Sequence, residues 1–454
     1  MRYYIIGLNL YFYVNMTDGS LMINILITTA LLYVVLIAGY RTLFLAGAPF
    51  SLHTKHGRGF FHFEDATHGI SPTCKQYVRI AALALCLRFG IYLFSAFAIC
   101  FFSESGTSFR FDTFLDHWYQ WDASNYIRIA TGGYRYHLEN GEPTTLVFFP
   151  LYSILIRGCF VIIRDYRISA MIVSTLCYIG GVCYLFGFVS EEYGTSVGAK
   201  TVLYLSIFPF SFFFGGMMPE SCFLLTSCAF FYYMRRHRWG MVALFGYLSA
   251  LSRIQGILLL IPAGIEWLLH YQPIGMLVKR KYKEFTRSLL VLLPICSGLL
   301  GLITYLMINN QVAGNPFKFL ELQESVWHHH YEYVGKAITT IFHYAFGGRY
   351  DAKMVAVLWI PQAAIATLAL ALLVYAANKH KPQEIFYLAA YTIVSFSASF
   401  ILSGGRYMSV AIPMFLILAK WFDSKPRLHL AWVILSSMLL ALYTAGYVLG
   451  YQIM

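Results

Sequence analysis

The chain has 454 residues, of which 59% are hydrophobic and only 12% are charged. Soluble domains carry about 25% charged residues, so this composition excludes an ordinary soluble protein and indicates a polytopic membrane protein. A formal net charge of +12 would also suit nucleic-acid binding. The Lys and Arg residues lie mainly in short loops between apolar segments, however, as the positive-inside rule describes, and we therefore predict no nucleic-acid partner.

Apolar segments recur along the whole chain and predict an all-α bundle. A membrane helix needs about 20 apolar residues, and on this basis we predict about twelve transmembrane helices. They lie at roughly 21–47, 78–102, 168–190, 199–217, 220–234, 239–252, 254–271, 288–308, 354–378, 384–403, 407–421 and 429–450. We predict that residues 1–77 form an additional N-terminal helix with a cytoplasmic loop, and that residues 78–454 form the main transmembrane domain, which would hold the catalytic site.

The loops between these helices predict the orientation of the bundle. Four basic loops fall on one side when the helices are counted, and this side is the cytoplasmic one by the positive-inside rule. They are 235–238, 279–287, 379–381 and 420–427. The long polar loops 103–167 and 309–353 then both lie on the external side. The apolar segment 147–164 would invert every later loop if it spanned the membrane, so we predict an external juxtamembrane helix there.

Charged groups at the edges of apolar segments are costly in a membrane and are therefore functional candidates. One such set reaches the predicted external surface: Asp116, Asp122, Glu220, Arg253 and Arg406. Guanidinium groups grip phosphate oxygens through paired hydrogen bonds, and a carboxylate can act as a general base. On a single helix, Asp116 and Asp122 would point about 120° apart, so we do not expect them to act as a pair.

Each of these candidates also has a purely structural interpretation. Asp122 stands at a possible helix start, where it would serve as an N-cap. Glu220 follows Pro219 and suits the first turn of a helix, where acids interact favourably with the helix dipole. Arg253 and Arg406 would anchor helix ends at lipid headgroups. These alternatives stay open on the sequence alone.

Other kinds of chemistry find less support. His328, His329 and His330 lie near Glu324 and Glu332, but no second cluster offers the remaining ligands of a metal site, and we expect no metal and no cofactor. The chain has no Walker A loop, no GxGxxG after a strand and no GxSxG elbow. The main alternative to an enzyme is a transporter or lipid flippase. Such proteins place polar groups at mid-membrane, often in repeated halves, whereas these candidates cluster at one face and no repeat is visible.

Several motifs in order carry a family resemblance over residues 78–422. They are Trp121-Asp122-Ala123, Tyr126-x-x-Ile129-Ala130-x-x-Gly133-Tyr134, Phe148-Phe149-Pro150-Leu151-Tyr152, Pro209-x-Ser211-x-Phe213-Phe214, Glu220-Ser221-x-Phe223-Leu224, Leu251-Ser252-Arg253-x-x-Gly256, Gly314-Asn315-Pro316-Phe317 with Gln323 and Trp327, and Arg406-Tyr407. The set resembles the PIG-V family, the second mannosyltransferases of glycosylphosphatidylinositol assembly, which has relatives in bacteria and archaea. Gln120 and Pro219 stand where members often have a basic residue and a Tyr, so the acceptor is left open.

The resemblance implies a GT-C fold, an integral membrane glycosyltransferase whose active site faces the external or lumenal side. Such enzymes take a sugar, here mannose, from a polyprenyl phosphate and invert its anomeric centre. The resemblance makes Asp122 the base, and the acceptor would be a lipid-linked molecule or glycan among the membrane lipids. We expect Arg253 and Arg406 to bind the phosphate and Glu220 to orient the acceptor or the base. Trp118, Trp121, Tyr126 and Tyr152 complete the expected substrate-binding set, the tryptophans by stacking on sugars or seating the loop.

Overall fold

The computed structural model describes residues 18–46, 71–102, 110–135, 141–399 and 402–453. These ranges are predominantly helical and contain no strand, and an isolated bridge joins Tyr331 to Ala398. The prediction of an all-α architecture is confirmed.

Twenty-two α-helices follow one another in the described ranges. They are α1 (Asp18–Leu45), α2 (Cys74–Phe102), α3 (Phe111–Trp118), α4 (Ala123–Gly132), α5 (Pro150–Ile163), α6 (Tyr166–Tyr193), α7 (Thr195–Ser206), α8 (Glu220–Arg235), α9 (Trp239–Ser252), α10 (Leu260–Tyr271), α11 (Pro273–Val278), α12 (Tyr282–Leu289), α13 (Leu292–Cys296), α14 (Gly298–Ala313), α15 (Lys318–Ser325), α16 (Val334–Phe346), α17 (Ala352–Met354), α18 (Ile360–Ala376), α19 (Pro382–Phe396), α20 (Gly404–Met408), α21 (Ile412–Phe422) and α22 (Pro426–Val448). Short 3₁₀ turns cover Thr144–Val147, Ser211–Phe214 and Ile254–Leu259, and a π-helical turn covers Val355–Trp359.

The described parts of all twelve predicted apolar segments are largely helical, but the helices differ in length. Seven helical stretches within the described ranges are long and apolar enough to cross a membrane. They are Gly19–Leu45, Cys74–Phe102, Tyr166–Tyr193, Ile254–Tyr271, Tyr282–Ala313, Ala352–Ala376 and Pro426–Val448. The other five segments hold the shorter helices α7, α8, α9, α19 and α21, of 11 to 16 residues. Helices α8 and α21 are buried along most of their lengths, so they lie inside the bundle.

Helix α5 covers most of the ambiguous segment 147–164. Its 14 residues span about 21 Å, less than the roughly 30 Å of a bilayer core. One side packs against α4 and α6 through residues such as Tyr152 and Ile156, while Ile154, Val161 and Ile162 are exposed. This length agrees with the predicted short, non-spanning helix. Its position in the external interface stays a prediction.

The additional N-terminal helix α1 packs against α16, α18 and α19. Arg41 fastens it, donating to the carbonyl oxygens of Ala377 and His380 at 2.9 and 2.8 Å. Both carbonyls lie just beyond the end of α18, where backbone oxygens lack helical partners. The loop predicted to follow α1 falls mostly on residues 47–70, outside the described ranges.

Helix α8 runs between the two ends of the bundle. It begins at Glu220 and ends at Arg235, about 22 Å away along the helix. At the far end, Arg235 and Lys381 both pair with Glu192, and Arg235 also reaches Glu266 at 2.6 Å. Two of the basic loops predicted to share a side therefore meet in one ion-pair cluster. The membrane side that this cluster faces stays a prediction.

Candidate active site

Asp122 lies in the turn between α3 and α4, next to an unusual backbone. Trp121 has φ +54°, a left-handed conformation that costs a non-glycine residue about 1–2 kcal/mol. Asp122 itself occupies the N-cap position of α4 with helical angles, and its side chain accepts no capping hydrogen bond from the described chain. Its Oδ2 instead lies 2.6 Å from Nη1 of Arg406. The interpretation of Asp122 as a helix cap is therefore wrong for its side chain.

Arg406 lies in the short helix α20, which approaches its neighbours closely. A Cβ atom at Gly405 would lie 2.5 Å from the ring of Phe210, so only glycine allows this approach. The Arg406 side chain is 4% exposed, and its Nε donates to Oε1 of Glu220 at 2.5 Å. Its guanidinium carbon stands 5.4 Å from the ring centre of Phe213, within the range of a cation–π contact.

Glu220 joins the two arginines at the start of α8. Its side chain is fully buried, and its Oε1 accepts from Arg406 and, at 2.7 Å, from Nη1 of Arg253. Its second oxygen, Oε2, has no hydrogen-bond partner among the described residues. Glu220 does stand in the first turn of a helix, as the structural interpretation held, but it is also the centre of an ion-pair network.

Arg253 enters this network because the chain breaks between α9 and the following 3₁₀ turn. The residue is extended, with φ −158° and ψ 154°. A Cβ atom at Gly256 would lie 2.3 Å from the backbone of Ser249, so the break depends on glycine there. The guanidinium of Arg253 lies 4.9 Å from the ring centre of Tyr407.

Neither Arg253 nor Arg406 has an acidic neighbour in the sequence, and a phosphate was the simplest partner to expect. In the structure both arginines do have acidic partners, since Glu220 binds both of them and Asp122 binds Arg406. Both guanidiniums are buried in the protein, so anchoring at lipid headgroups does not describe them. The two acids and two arginines form one continuous network, which is formally neutral.

Electrostatics keep Arg406 positively charged within the network. Burial of Arg406 opposes its charge, but the carboxylates of Glu220 and Asp122 raise its pKa well above the usual value. Burial raises the pKa of Tyr126, the positive charge of Arg406 lowers this pKa, and the negative charge of Asp122 raises it. The Tyr126 hydroxyl therefore stays protonated beside the network, while its ring packs edge-on against Phe148 and Tyr152.

Two of the predicted substrate-binding residues lie inside the fold instead. Trp118 is fully buried, packs edge-on against Tyr92 and donates to Ser95 Oγ at 3.2 Å. It has no face open to a sugar, and it secures the loop by packing against helices. Tyr152 is also fully buried, with its hydroxyl 2.8 Å from Ser174 Oγ and 3.0 Å from the carbonyl oxygen of Ala170.

Trp121 differs from both because it is partly exposed beside Asp122. Its indole nitrogen is buried and finds no acceptor within the described ranges. Asp116 lies apart, as expected: its carboxylate is exposed and pairs with Arg167 at 2.7 Å on the surface. Of the predicted residues, Asp122, Glu220, Arg253 and Arg406 come together, with Trp121 and Tyr126 next to them.

Arg88 was absent from the predicted set, although the sequence carries a signal for it. It is a charged residue inside a predicted membrane helix, and it is almost fully buried in α2. It donates to the carbonyl oxygens of Ser211 and Phe212 at 3.0 and 3.4 Å, and so supports the segment that carries Phe213. Tyr447 of α22 packs against Phe213 from the other end of the chain, and no local pattern distinguishes it from the other tyrosines.

The histidine run makes polar contacts with nearby residues. His330 lies 3.2 Å from Glu332 and 3.1 Å from Ser399 Oγ. The described part of the chain holds no group of three or more His, Cys, Asp or Glu residues placed to bind one ion.

Solved structures offer distant similarities. ArnT from Cupriavidus metallidurans, bound to undecaprenyl phosphate, is 13% identical with a TM-score of 0.48, over 84% of this chain and 77% of that one. The Archaeoglobus fulgidus oligosaccharyltransferase is 12% identical in its complex with zinc and sulfate, with a TM-score of 0.43, over 81% of this chain and 53% of that one. The same archaeal protein tethered to an acceptor peptide is 12% identical with a TM-score of 0.44, over 84% and 56%. This chain thus spans little more than half of the archaeal chains. No family model and no curated protein matches it.

Proposed function

We propose that this protein is an inverting GT-C-type glycosyltransferase that uses a polyprenyl-phosphate sugar as donor. The observation that carries the proposal is the Asp122–Arg406–Glu220–Arg253 network, in which the partly exposed carboxylate of Asp122 pairs with buried Arg406, and buried Glu220 links Arg406 to Arg253. The sugar that we propose is mannose, and the acceptor is a lipid-linked molecule or glycan. The resemblance of the surrounding motifs to the PIG-V family supports both choices.

The reaction divides between the two parts of the network. Asp122 takes the proton of an acceptor hydroxyl while that oxygen attacks the anomeric carbon of the sugar. The bond from this carbon to the phosphate oxygen breaks, and its electron pair stays on the polyprenyl phosphate. Arg253 and Arg406 stabilise the charge that develops on the departing phosphate, the kind of electrostatic stabilisation that usually contributes most in such transfers. Attack opposite to the leaving group inverts the anomeric centre.

The charges of the network favour a donor with a single phosphate. The three buried groups Arg253, Arg406 and Glu220 carry a formal net charge of +1, whereas the carboxylate of Asp122 is partly exposed and keeps its own negative charge until it takes the proton. A sugar linked through one phosphate is a diester with a single negative charge, which balances them. A diphosphate-linked donor carries at least two negative charges and would leave one unmatched in a buried site, where unpaired charge is costly.

The site lies at the end of the bundle opposite the Arg235–Lys381 cluster, which supports an active site on the external or lumenal side. The donor's lipid tail would then stay in the bilayer beside the bundle. Trp121 and Tyr126, next to the base, are the aromatic residues that we propose to contact the sugar or the acceptor.

Purified protein incubated with labelled polyprenyl-phosphate mannose and a membrane lipid extract tests the proposal. We expect release of polyprenyl phosphate together with a new mannosylated product. Asp122→Asn should lose both, whereas Asp116→Asn removes an equal charge from the same loop and should keep them. Movement of the label across proteoliposomes without a new product would instead identify a flippase and refute the proposal.

A further inference from the structure

Arg406 is the residue where the base and the proposed phosphate-binding groups meet. Its Nε donates to Glu220 and its Nη1 to Asp122. Glu220 is fully buried, whereas the Asp122 side chain is 29% exposed. The side of the guanidinium nearest to the protein surface is therefore the side to which Asp122 is bonded.

Protein occupies other approaches to this guanidinium. The ring of Phe213 lies against it, and the neighbouring Gly405 is packed against Phe210. Arg253 and Arg406 share one oxygen of Glu220, which holds both cations in place. A phosphate arriving from the exposed side consequently meets Arg406 where Asp122 is already bonded.

We infer that Asp122 and the donor's phosphate compete for Arg406, so that donor binding frees the base. In the free protein, the ion pair occupies one oxygen of Asp122 and holds its carboxylate toward the arginine. A bound phosphate offers a second anion to the same guanidinium, and the two anions repel each other. Asp122 then turns from Arg406 toward the acceptor. The acceptor hydroxyl is activated only when a donor is in place. The inference rests on the proposed function and adds an order of events to it.

Binding of undecaprenyl phosphate to the full-length protein in neutral-lipid nanodiscs tests this competition. Asp122→Asn keeps the size of the side chain but removes the competing charge, so it should bind the probe at least about fivefold more tightly than the parent, since placing like charges side by side is costly. Asp122→Ala should tighten binding as well. Asp116→Asn is the matched control, because Asp116 pairs with Arg167 and not with Arg406. It should bind like the parent.

The outcomes separate the inference from the proposed function. Unchanged or weaker binding by both Asp122 variants, with melting temperatures like that of the parent, overturns the competition even if transfer is lost. Equal tightening by Asp116→Asn also overturns it, since the effect would then be one of general charge. Tighter binding by the Asp122 variants alone supports it. Normal transfer by Asp122→Asn would refute the proposed function itself, whatever the affinity.

Discussion

The Nη1 atom of Arg253 lies 2.7 Å from Oε1 of Glu220, and both side chains are buried. The same oxygen accepts from Arg406, so a single carboxylate atom holds two guanidiniums from distant parts of the chain. This convergence on one atom makes Glu220 the residue on which the geometry of both arginines depends.

We expect Glu220→Ala to destabilise the protein strongly. The substitution leaves two buried cations without their shared partner, and breaking a buried ion pair in this way typically costs about 3–5 kcal/mol. Thermal unfolding of the purified protein in detergent measures the effect. Glu284→Ala is the control, because Glu284 and Lys281 form an exposed pair whose loss should cost less than about 1 kcal/mol. Equal losses for the two variants would show that Glu220 does not hold the arginines.

Asp122→Asn should abolish transfer without unfolding the protein. The side chain is partly exposed and contributes no helix cap, so its main loss is that of a base, which typically costs about 10²–10⁴-fold in rate. Initial rates of mannose transfer by parent and variant measure it. Asp116→Asn, whose charge pairs with Arg167 on the surface, should stay near the parental rate. Turnover by Asp122→Asn close to that of the parent would contradict the assignment.

Much of the fold could be predicted because the formation of a membrane helix depends on the local sequence. A run of apolar residues such as 239–252 coincides with helix α9 (Trp239–Ser252) because burial in lipid and helix formation both depend on neighbouring residues. Helices that lie inside the bundle, such as α8, are shorter than a membrane span. Breaks in the chain bring polar groups to the site and set the lengths of these helices. The hydrophobicity of the sequence does not reveal where such breaks fall.

The composition of the site could be predicted only in part. Counting the loops was enough to bring Asp122, Glu220, Arg253 and Arg406 to one end of the bundle. Their pairing could not be read from the sequence, because Asp122 and Arg406 are 284 residues apart and no local pattern links them. The burial of Trp118 was equally hidden, since a tryptophan in a polar loop is compatible with either a sugar contact or a packing role.

Tyr152→Phe should reduce stability and leave catalysis intact. The change removes a hydroxyl that bonds Ser174 Oγ and the carbonyl oxygen of Ala170 in a fully buried position, at a cost of about 1–2 kcal/mol. Melting temperature and donor KM, measured on the same preparation, separate the two effects. Trp121→Phe makes the useful contrast, because Trp121 is partly exposed beside Asp122 and its replacement by a smaller ring should raise a substrate KM. A raised KM for Tyr152→Phe would indicate that Tyr152 does contribute to substrate binding.

We expect transfer to proceed without a divalent metal. In the proposed mechanism, Arg253 and Arg406 supply the positive charge that a metal ion would otherwise provide to the departing phosphate. Activity should therefore survive exhaustive treatment with a chelator, measured as initial rate before and after. Activity lost to the chelator and restored by Mg²⁺ or Mn²⁺ would place a metal at the site and require a new assignment for Asp122.

The last prediction concerns the two arginines themselves. Arg253→Ala and Arg406→Ala should weaken use of the donor beyond any loss of stability, because each removes a guanidinium that we propose to bind phosphate. Arg253→Lys and Arg406→Lys should recover only part of it, since an ammonium is a point charge and lacks the planar, paired donors of a guanidinium. Donor KM and kcat, normalised to the folded fraction of each preparation, measure the effect.

The contacts in the network predict different kinetic effects for substitutions at the two arginines. Arg406 binds both Asp122 and Glu220, whereas Arg253 binds Glu220 alone. Arg406→Lys should therefore lower kcat as well as raise the donor KM, because it replaces the guanidinium that stabilises the departing phosphate and that also positions Asp122 before the donor binds. Arg253→Lys should act mainly on the donor KM. If both arginine variants lost only stability and kept parental donor kinetics, the guanidiniums would be structural and the phosphate would have to bind elsewhere.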